Sequence, residues 1–234
     1  DDNLSLSEEI KARYRSMYTG VFFKRYILGL WAMAEGIIYD MFDADKHVQK
    51  ITDFFRRLKD GGRYVSCDYG TQNATVFLLW NKGNNGKWYC VREYYYSGRA
   101  KGKQKTDGEY ADDFEKWLDG VPIRAVIVDP AAASFIAELG KRGYRVLKAD
   151  NDVEDGIREV ASMLNMGLLV FCDTCINTIM EFGSYIWDEK AAQQGEDRPV
   201  KENDHAMDAV RYFVYTILSK RTGRVKNKAK YGFD

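Results

Sequence analysis

The sequence predicts an α/β fold on one mixed β-sheet, three antiparallel strands followed by parallel strands, flanked by helices on both faces. Three observations carry that expectation. Apolar, β-rich runs at 63–68, 74–80 and 88–96 are separated only by turn-forming residues. Beyond residue 109, helical and strand patterns alternate in βαβ fashion. Two of the strands run directly into an aspartate, Asp68 and Asp129.

Taken in order, residues 4–19 begin with a serine cap and acidic residues and stop at Gly20, which predicts a short helix. The aromatic stretch 21–43 has no clean period and is expected to pack on a neighbour, so residues 1–60 read as a connector docked on the main domain. The three-strand meander follows, with the tight turn 81–87 between its last two strands and the polar loop 97–108 after it. Residues 109–119 place Tyr110, Phe114, Trp117 and Leu118 on one helical face. A buried-type strand at 124–128 then precedes Asp129-Pro130. Helices are expected at 131–141, 153–165 and 174–182, with strands at 144–148 and 168–171 between them. Residues 183–201 carry two extended pieces around a Gln/Gly centre and predict a β-hairpin insertion; Asn203 or Asp204 then caps a last helix over 205–220. This is the order expected of an RNase H-like mixed sheet. It divides the chain into 1–60, a main domain over 61–219, and a basic tail over 220–234.

Composition narrows the function. The apolar fraction is 45%, with 16 Tyr and 12 Phe, enough for a substantial core. Lys plus Arg and Asp plus Glu both number 35, so any phosphate-binding face must rest on local charge. Three basic clusters qualify, each with a solvated loop or tail as its alternative: Arg99, Lys101, Lys103 and Lys105; Arg142, Arg145 and Lys148; and the tail from Lys220 and Arg221 through Arg224, Lys226, Lys228 and Lys230. Cys172 and Cys175 have zinc-knuckle spacing, but no second pair completes four ligands, so all four cysteines read as structural thiols. No apolar run approaches the ~20 residues that span a bilayer, and the expectation is a soluble, intracellular protein. The opening Asp1-Asp2-Asn3 is read as the start of a fragment or processed chain.

The chemistry is carried by carboxylates. Asp68 and Asp129 at neighbouring strand ends converge on one sheet edge, and Asp208 sits in the last helix among Ala206, Met207, Ala209 and Val210. A helical acid in such surroundings needs a cation or basic partner. Three hard oxygen donors suit two Mg²⁺ or Mn²⁺ ions, and a two-metal site suits phosphodiester hydrolysis. The reading requires the three aspartates to come close enough at one rim of the sheet to share divalent ions. His205, three residues before Asp208, shares its helix face and could touch phosphate, shuttle a proton or bind metal. Asp204, four residues before Asp208 and on the same side, is explained as a helix cap and is second choice for the site; Lys201 could screen the acids or hold phosphate, with a solvated lysine as the alternative, and His47 reads as structural. No Walker loop and no nucleophilic-serine motif is present.

The run from Arg198 through Lys201, His205 and Asp208 to Tyr212 resembles the final catalytic motif of phage terminase large subunits. The likeness extends to SYIWDEK, to VIVDPAAASF around Asp129, to SCDYG around Asp68, and to the aromatic connector GLWAMAEGIIYDMFD. The resemblance implies an RNase H-fold endonuclease that cuts concatemeric double-stranded DNA during genome packaging, with little sequence specificity. It implies metal-binding acids at Asp68, Asp129 and Asp208, an auxiliary His205, and a hairpin at 184–201 that gates DNA access. It further implies an ATPase domain upstream of residues 1–60, a small terminase subunit and a portal protein as partners, and the host cytoplasm as the place of action. DNA contacts are expected from Lys201 and from Arg99, Lys101, Lys103 and Lys105. A Holliday-junction resolvase or transposase-like nuclease, and a non-catalytic DNA-binding or portal-docking module, remain as alternatives.

Overall fold

A computed structural model describes residues 7–30, 32–50, 52, 62–71 and 73–219. The basic tail from Lys220 to Lys230 and most of 51–61 lie outside the described residues. A seven-stranded mixed sheet runs in the order β1-β7-β4-β3-β2-β5-β6. Its antiparallel centre is β2 (Tyr64–Asp68), β3 (Ala74–Lys82) and β4 (Trp88–Ser97). To one side β5 (Ala125–Val128) and β6 (Val146–Lys148) add in parallel, and to the other β7 (Leu169–Cys172) pairs parallel with β4. The expected order of antiparallel then parallel strands is therefore present. The sequence reading did not include β1 (Val48–Gln49), a two-residue edge strand alongside β7, too short to show a period of its own.

The central strand β3 is apolar throughout because both of its faces are covered. Val76, Leu78 and Trp80 point into one core, and Phe77 and Leu79 into the other. The second core is closed by α5 (Asp107–Leu118) and α6 (Ala133–Lys141). Thr106 opens α5 with a reciprocal capping box to Glu109, which starts the helix two residues before its expected first turn. The first core is covered by α7 (Val153–Asn165), α8 (Ile176–Ser184) and α10 (His205–Phe213), and α10 runs on as a π-helical segment, Val214–Leu218. Trp80 anchors α10 to the sheet: its ring stacks on Phe213 at 4.4 Å, and its indole N–H donates to Ser66 at 2.9 Å.

The leading segment is built into the same core. It forms α1 (Glu8–Met17), α2 (Gly20–Tyr26) and α3 (Ala44–His47). Phe22, Ala34, Ile38 and Tyr39 are buried in the first core, and His47 is buried with Nε2 3.0 Å from the Leu164 carbonyl oxygen. All four cysteines are free and buried, as structural thiols should be.

The expected hairpin over 184–201 is reduced to one antiparallel bridge, Trp187 to Pro199, and its Gln/Gly centre is helical, α9 (Glu189–Gln193), capped by Asp188. The excursion is strapped to the leading segment. Ile37 bridges Ile186, Trp187 N–H donates to the Gly36 carbonyl, and Arg25 pairs with Asp197. The one-turn helix α4 (Gly98–Lys101) also replaces part of the expected 97–108 loop, opened by a Ser97 cap.

At Gly156 in α7, an added Cβ would lie 2.5 Å from Cγ of Arg211, whose guanidinium donates to the carbonyls of Asn151 (2.8 Å) and Asp152 (3.1 Å). An interior helical Gly→Ala change ordinarily gains up to about 1 kcal/mol. Here Gly156→Ala is expected to cost about 1–3 kcal/mol from overpacking, read as a lower midpoint in urea denaturation; a raised midpoint would show that Arg211 yields freely.

Candidate active site

Parallel register sets the first two acids side by side. Cys67 of β2 pairs with Val128 of β5, so the next residues along, Asp68 and Asp129, emerge together at the carboxyl ends of adjacent strands. Helix α10 crosses the same rim and supplies Asp208 and His205. These four side chains line one cleft of about 380 Å³, together with Lys201, Asp204, Arg211 and Tyr212. The three aspartates thus line one cleft at the carboxyl rim of the sheet.

They do not stand as a closed ligand set. Among the described residues no three His, Cys, Asp or Glu groups are close enough to hold an ion as they are. Each carboxylate is turned to a protein donor, which offsets the mutual repulsion of the acids. His205 Nδ1 lies 3.0 Å from Asp68 Oδ2. Asp129 accepts from the Tyr212 hydroxyl at 2.6 Å and from the Ala131 N–H at 2.7 Å. Asp208 accepts from Arg211 at 2.8 Å, with the Lys201 ammonium 3.6 Å from its other oxygen. The donors are hard oxygens with no thiolate near them, the chemistry that suits Mg²⁺ or Mn²⁺.

Electrostatics follow burial. Desolvation pushes the Asp68 carboxyl up to about 6, against the pull of the His205 hydrogen bond. Burial lowers His205, but the Asp68 hydrogen bond and the surrounding carboxylates raise it more, so its value ends above the ordinary one. Burial also lifts Glu181, beneath α10, to about 7.

Several expectations change in the structure. Asp204 occupies the N-cap position of α10 but makes no capping hydrogen bond with its side chain. Its carboxylate, buried at 5% exposure, faces the cleft with Lys201 3.3 Å away. Arg211 and Tyr212, which hold Asp208 and Asp129, went unnoticed in the sequence; their signal was the i+3 and i+4 spacing from Asp208. Arg99, Lys101, Lys103 and Lys105 do not line the cleft. They follow β4, where Lys105 pairs with Asp113 and lies 4.1 Å over the Tyr96 ring, and Lys103 is 3.7 Å from Glu109. Arg142 instead ties α6 to α5 through Glu138, Asp112 and Glu115.

A family model described as the terminase RNase H-like domain matches residues 67–216, a span that contains every residue of this cleft. The chain belongs to the terminase RNase H-like family. It is 26% identical over 197 residues to the large terminase subunit of Escherichia phage T5, covering 80% of this chain and 43% of that protein. It is 56% identical to the large terminase of a thermophilic bacteriophage solved in complex with ADP, with a TM-score of 0.86, over 93% of this chain and 54% of that one. The chain thus spans about half the length of these terminases. The nuclease domain of the P22 large terminase, 18% identical, shares the fold at a TM-score of 0.60 over 79% of this chain and 94% of that domain. The large terminase nuclease of thermophilic phage G20c with bound magnesium does so at 0.57 and 13% identity, over 80% of this chain and 99% of that one.

In this terminase domain the native state keeps the protons of Asp68 and His205 longer than the unfolded chain does. Stability from both groups is therefore present at low pH and lost as pH rises, through about 6 for Asp68 and above 6.5 for His205. In EDTA, the melting temperature is expected to fall between roughly pH 5 and 8 more steeply in the parent than in Asp68→Asn. Equal slopes would contradict the buried Asp68–His205 pair.

Proposed function

We propose that this chain is the nuclease part of a phage DNA-packaging terminase, a metal-dependent endonuclease that cuts concatemeric double-stranded DNA in the host cytoplasm. The observation that carries the reading is the cleft itself: Asp68, Asp129 and Asp208 line one polar groove at the carboxyl rim of the sheet, and family membership joins it to nucleases. A magnesium-bound relative of the same fold supports the choice of cation.

Asp68, Asp129 and Asp208 would hold two Mg²⁺ or Mn²⁺ ions. The chemistry such ions supply when bound is activation of water and neutralisation of charge on the phosphate and the leaving 3′ oxygen. Arg211 and Tyr212 keep Asp208 and Asp129 aimed into the cleft meanwhile. His205, tethered through Nδ1 to Asp68, retains its other ring nitrogen for a proton or a phosphate oxygen. Lys201, with its side chain 65% exposed at the cleft edge, offers its charge to the DNA backbone. Base-specific contacts are not part of the proposal, because Arg and Lys reading phosphates carry no sequence information. Arg99, Lys101, Lys103 and Lys105 extend the proposed DNA path along the 69–73 side. Residues 1–60 are proposed to join 61–219 to an upstream ATPase half, in line with the roughly half-length match to the phage T5 terminase and the ADP-bound thermophilic one. The tail 220–234, the small subunit and the portal belong to the same proposal.

Plasmid nicking in Mg²⁺ or Mn²⁺ tests it. Asp68→Asn, Asp129→Asn and Asp208→Asn are each expected to lower the rate beyond the roughly 10–100-fold that loss of an outer-sphere partner costs. Undiminished cutting by all three variants would sink the assignment. DNA affinity, measured by filter binding, is expected to drop about a thousandfold between roughly 50 and 200 mM salt if about six phosphates are contacted; a flat response would contradict backbone recognition.

A further inference from the structure

Helix α10 carries His205 and Asp208, yet its own cap residue leaves the first turn's N–H groups without a side-chain acceptor. The acceptor comes from another element. Glu181, in α8 and only 4% exposed, places Oε2 2.7 Å from the Ala206 nitrogen and 3.3 Å from the Met207 nitrogen, so both amides donate to it. Its other oxygen accepts from the Tyr95 hydroxyl at 2.9 Å. Tyr95 is no arbitrary partner. In the sheet register Asp68 lies opposite Val76, and Val76 lies opposite Tyr95, so Asp68 and Tyr95 belong to one cross-strand row and share a face. One buried carboxylate therefore joins the start of the helix bearing His205 and Asp208 to the strand row bearing Asp68.

Helix α8 is itself seated in the same manner. Its N-terminal Asn177 and Thr178 amides donate to Glu93 at 3.1 and 2.6 Å, and Glu93 lies two residues from Tyr95 on β4. Helices α8 and α10 are thus both keyed to β4 through glutamates, and Glu181 is the link that reaches α10.

We propose that Glu181 is a positioning residue of the nuclease site, setting the height and rotation of α10 so that His205 and Asp208 meet Asp68. The inference rests on the nuclease reading above. Loss of the link lets the first turn of α10 fray, which separates acids that must share ions, while phosphate contacts made elsewhere are untouched. Glutamine preserves the arrangement, since its carbonyl accepts from the two amides and its NH₂ donates to the tyrosine oxygen.

The test compares Glu181→Gln, Glu181→Leu and Tyr95→Phe in the full 234-residue chain. Four quantities are read: amide hydrogen exchange at Ala206 and Met207, Mn²⁺ affinity by electron paramagnetic resonance, melting temperature, and kcat and KM for plasmid nicking well below the melting point. Glu181→Leu is expected to lose amide protection, to bind Mn²⁺ about 10–100-fold more weakly, and to lose kcat to the same degree with KM within about twofold. Glu181→Gln is expected to restore all four to near the parent. Tyr95→Phe keeps the amide bonds but frees the carboxylate from the sheet, and is expected to weaken Mn²⁺ binding about three- to tenfold. A folded Glu181→Leu with parental Mn²⁺ affinity and kcat overturns the proposal and leaves Glu181 a packing group. If Glu181→Leu does not fold, parental Mn²⁺ affinity in Tyr95→Phe overturns it equally. Asp208→Asn serves as the control: if it too binds Mn²⁺ and nicks as the parent does, it is the nuclease reading that fails, and amide protection alone then decides whether Glu181 seats α10.

Discussion

Three carboxylates held at one rim of a sheet repel one another, and much of the interior is organised around that repulsion. Arg211 is the clearest expression of it. A guanidinium at 2% exposure is costly to desolvate, and it is retained by one carboxylate and two carbonyls, those of Asp208, Asn151 and Asp152. The position of α7 follows: the residues just before it, Asn151 and its N-cap Asp152, must present those carbonyls, and Gly156 must leave room for the arginine's stem. Tyr212 and the Ala131 amide do for Asp129 what Arg211 does for Asp208, and His205 does so for Asp68. The acids are thus held near one another by protein donors.

The sheet makes this possible by separating two tasks. The face covered by α5 and α6 is mainly aromatic and aliphatic packing, with Phe77 stacked on Tyr94 at 4.7 Å and edge-on to Phe114 at 5.3 Å. The opposite face also carries aromatic packing deep under α10, through Trp80 and Phe213, and turns polar only toward the carboxyl rim. A rigid stack below and a hydrogen-bonded rim above let one helix serve both as core and as a wall of the cleft.

Much of this was legible in the sequence because it has strong local signals. A meander with turn residues, a βαβ alternation and two strands ending in aspartate can be read residue by residue, and Asp208 with His205 three residues earlier shares a helix face. What was not legible depends on contacts distant in the chain. Nothing around Glu181 marks it as the acceptor for residues 206 and 207, and nothing around Arg211 announces its carbonyl partners 60 residues away. Asp204 was misjudged because a cap residue next to a helix has a ready local explanation, while its actual neighbour Lys201 lies on the cleft side. The hairpin expectation failed at its centre since Glu189–Gln193 has helix-forming residues and an Asp188 cap, which outweighed the flanking extended pieces. Strand β1 is two residues long and exists only through its neighbour.

The strap between the leading segment and the 185–200 excursion has a mechanical corollary. Gly36, Ile37 and Arg25 hold Trp187, Ile186 and Asp197 by backbone bonds, a strand bridge and an ion pair, and that excursion runs without a break into Lys201 and the first turn of α10. Arg25, Gly36 and Ile37 therefore fasten the leading segment to the same stretch of backbone that continues into the cleft's edge.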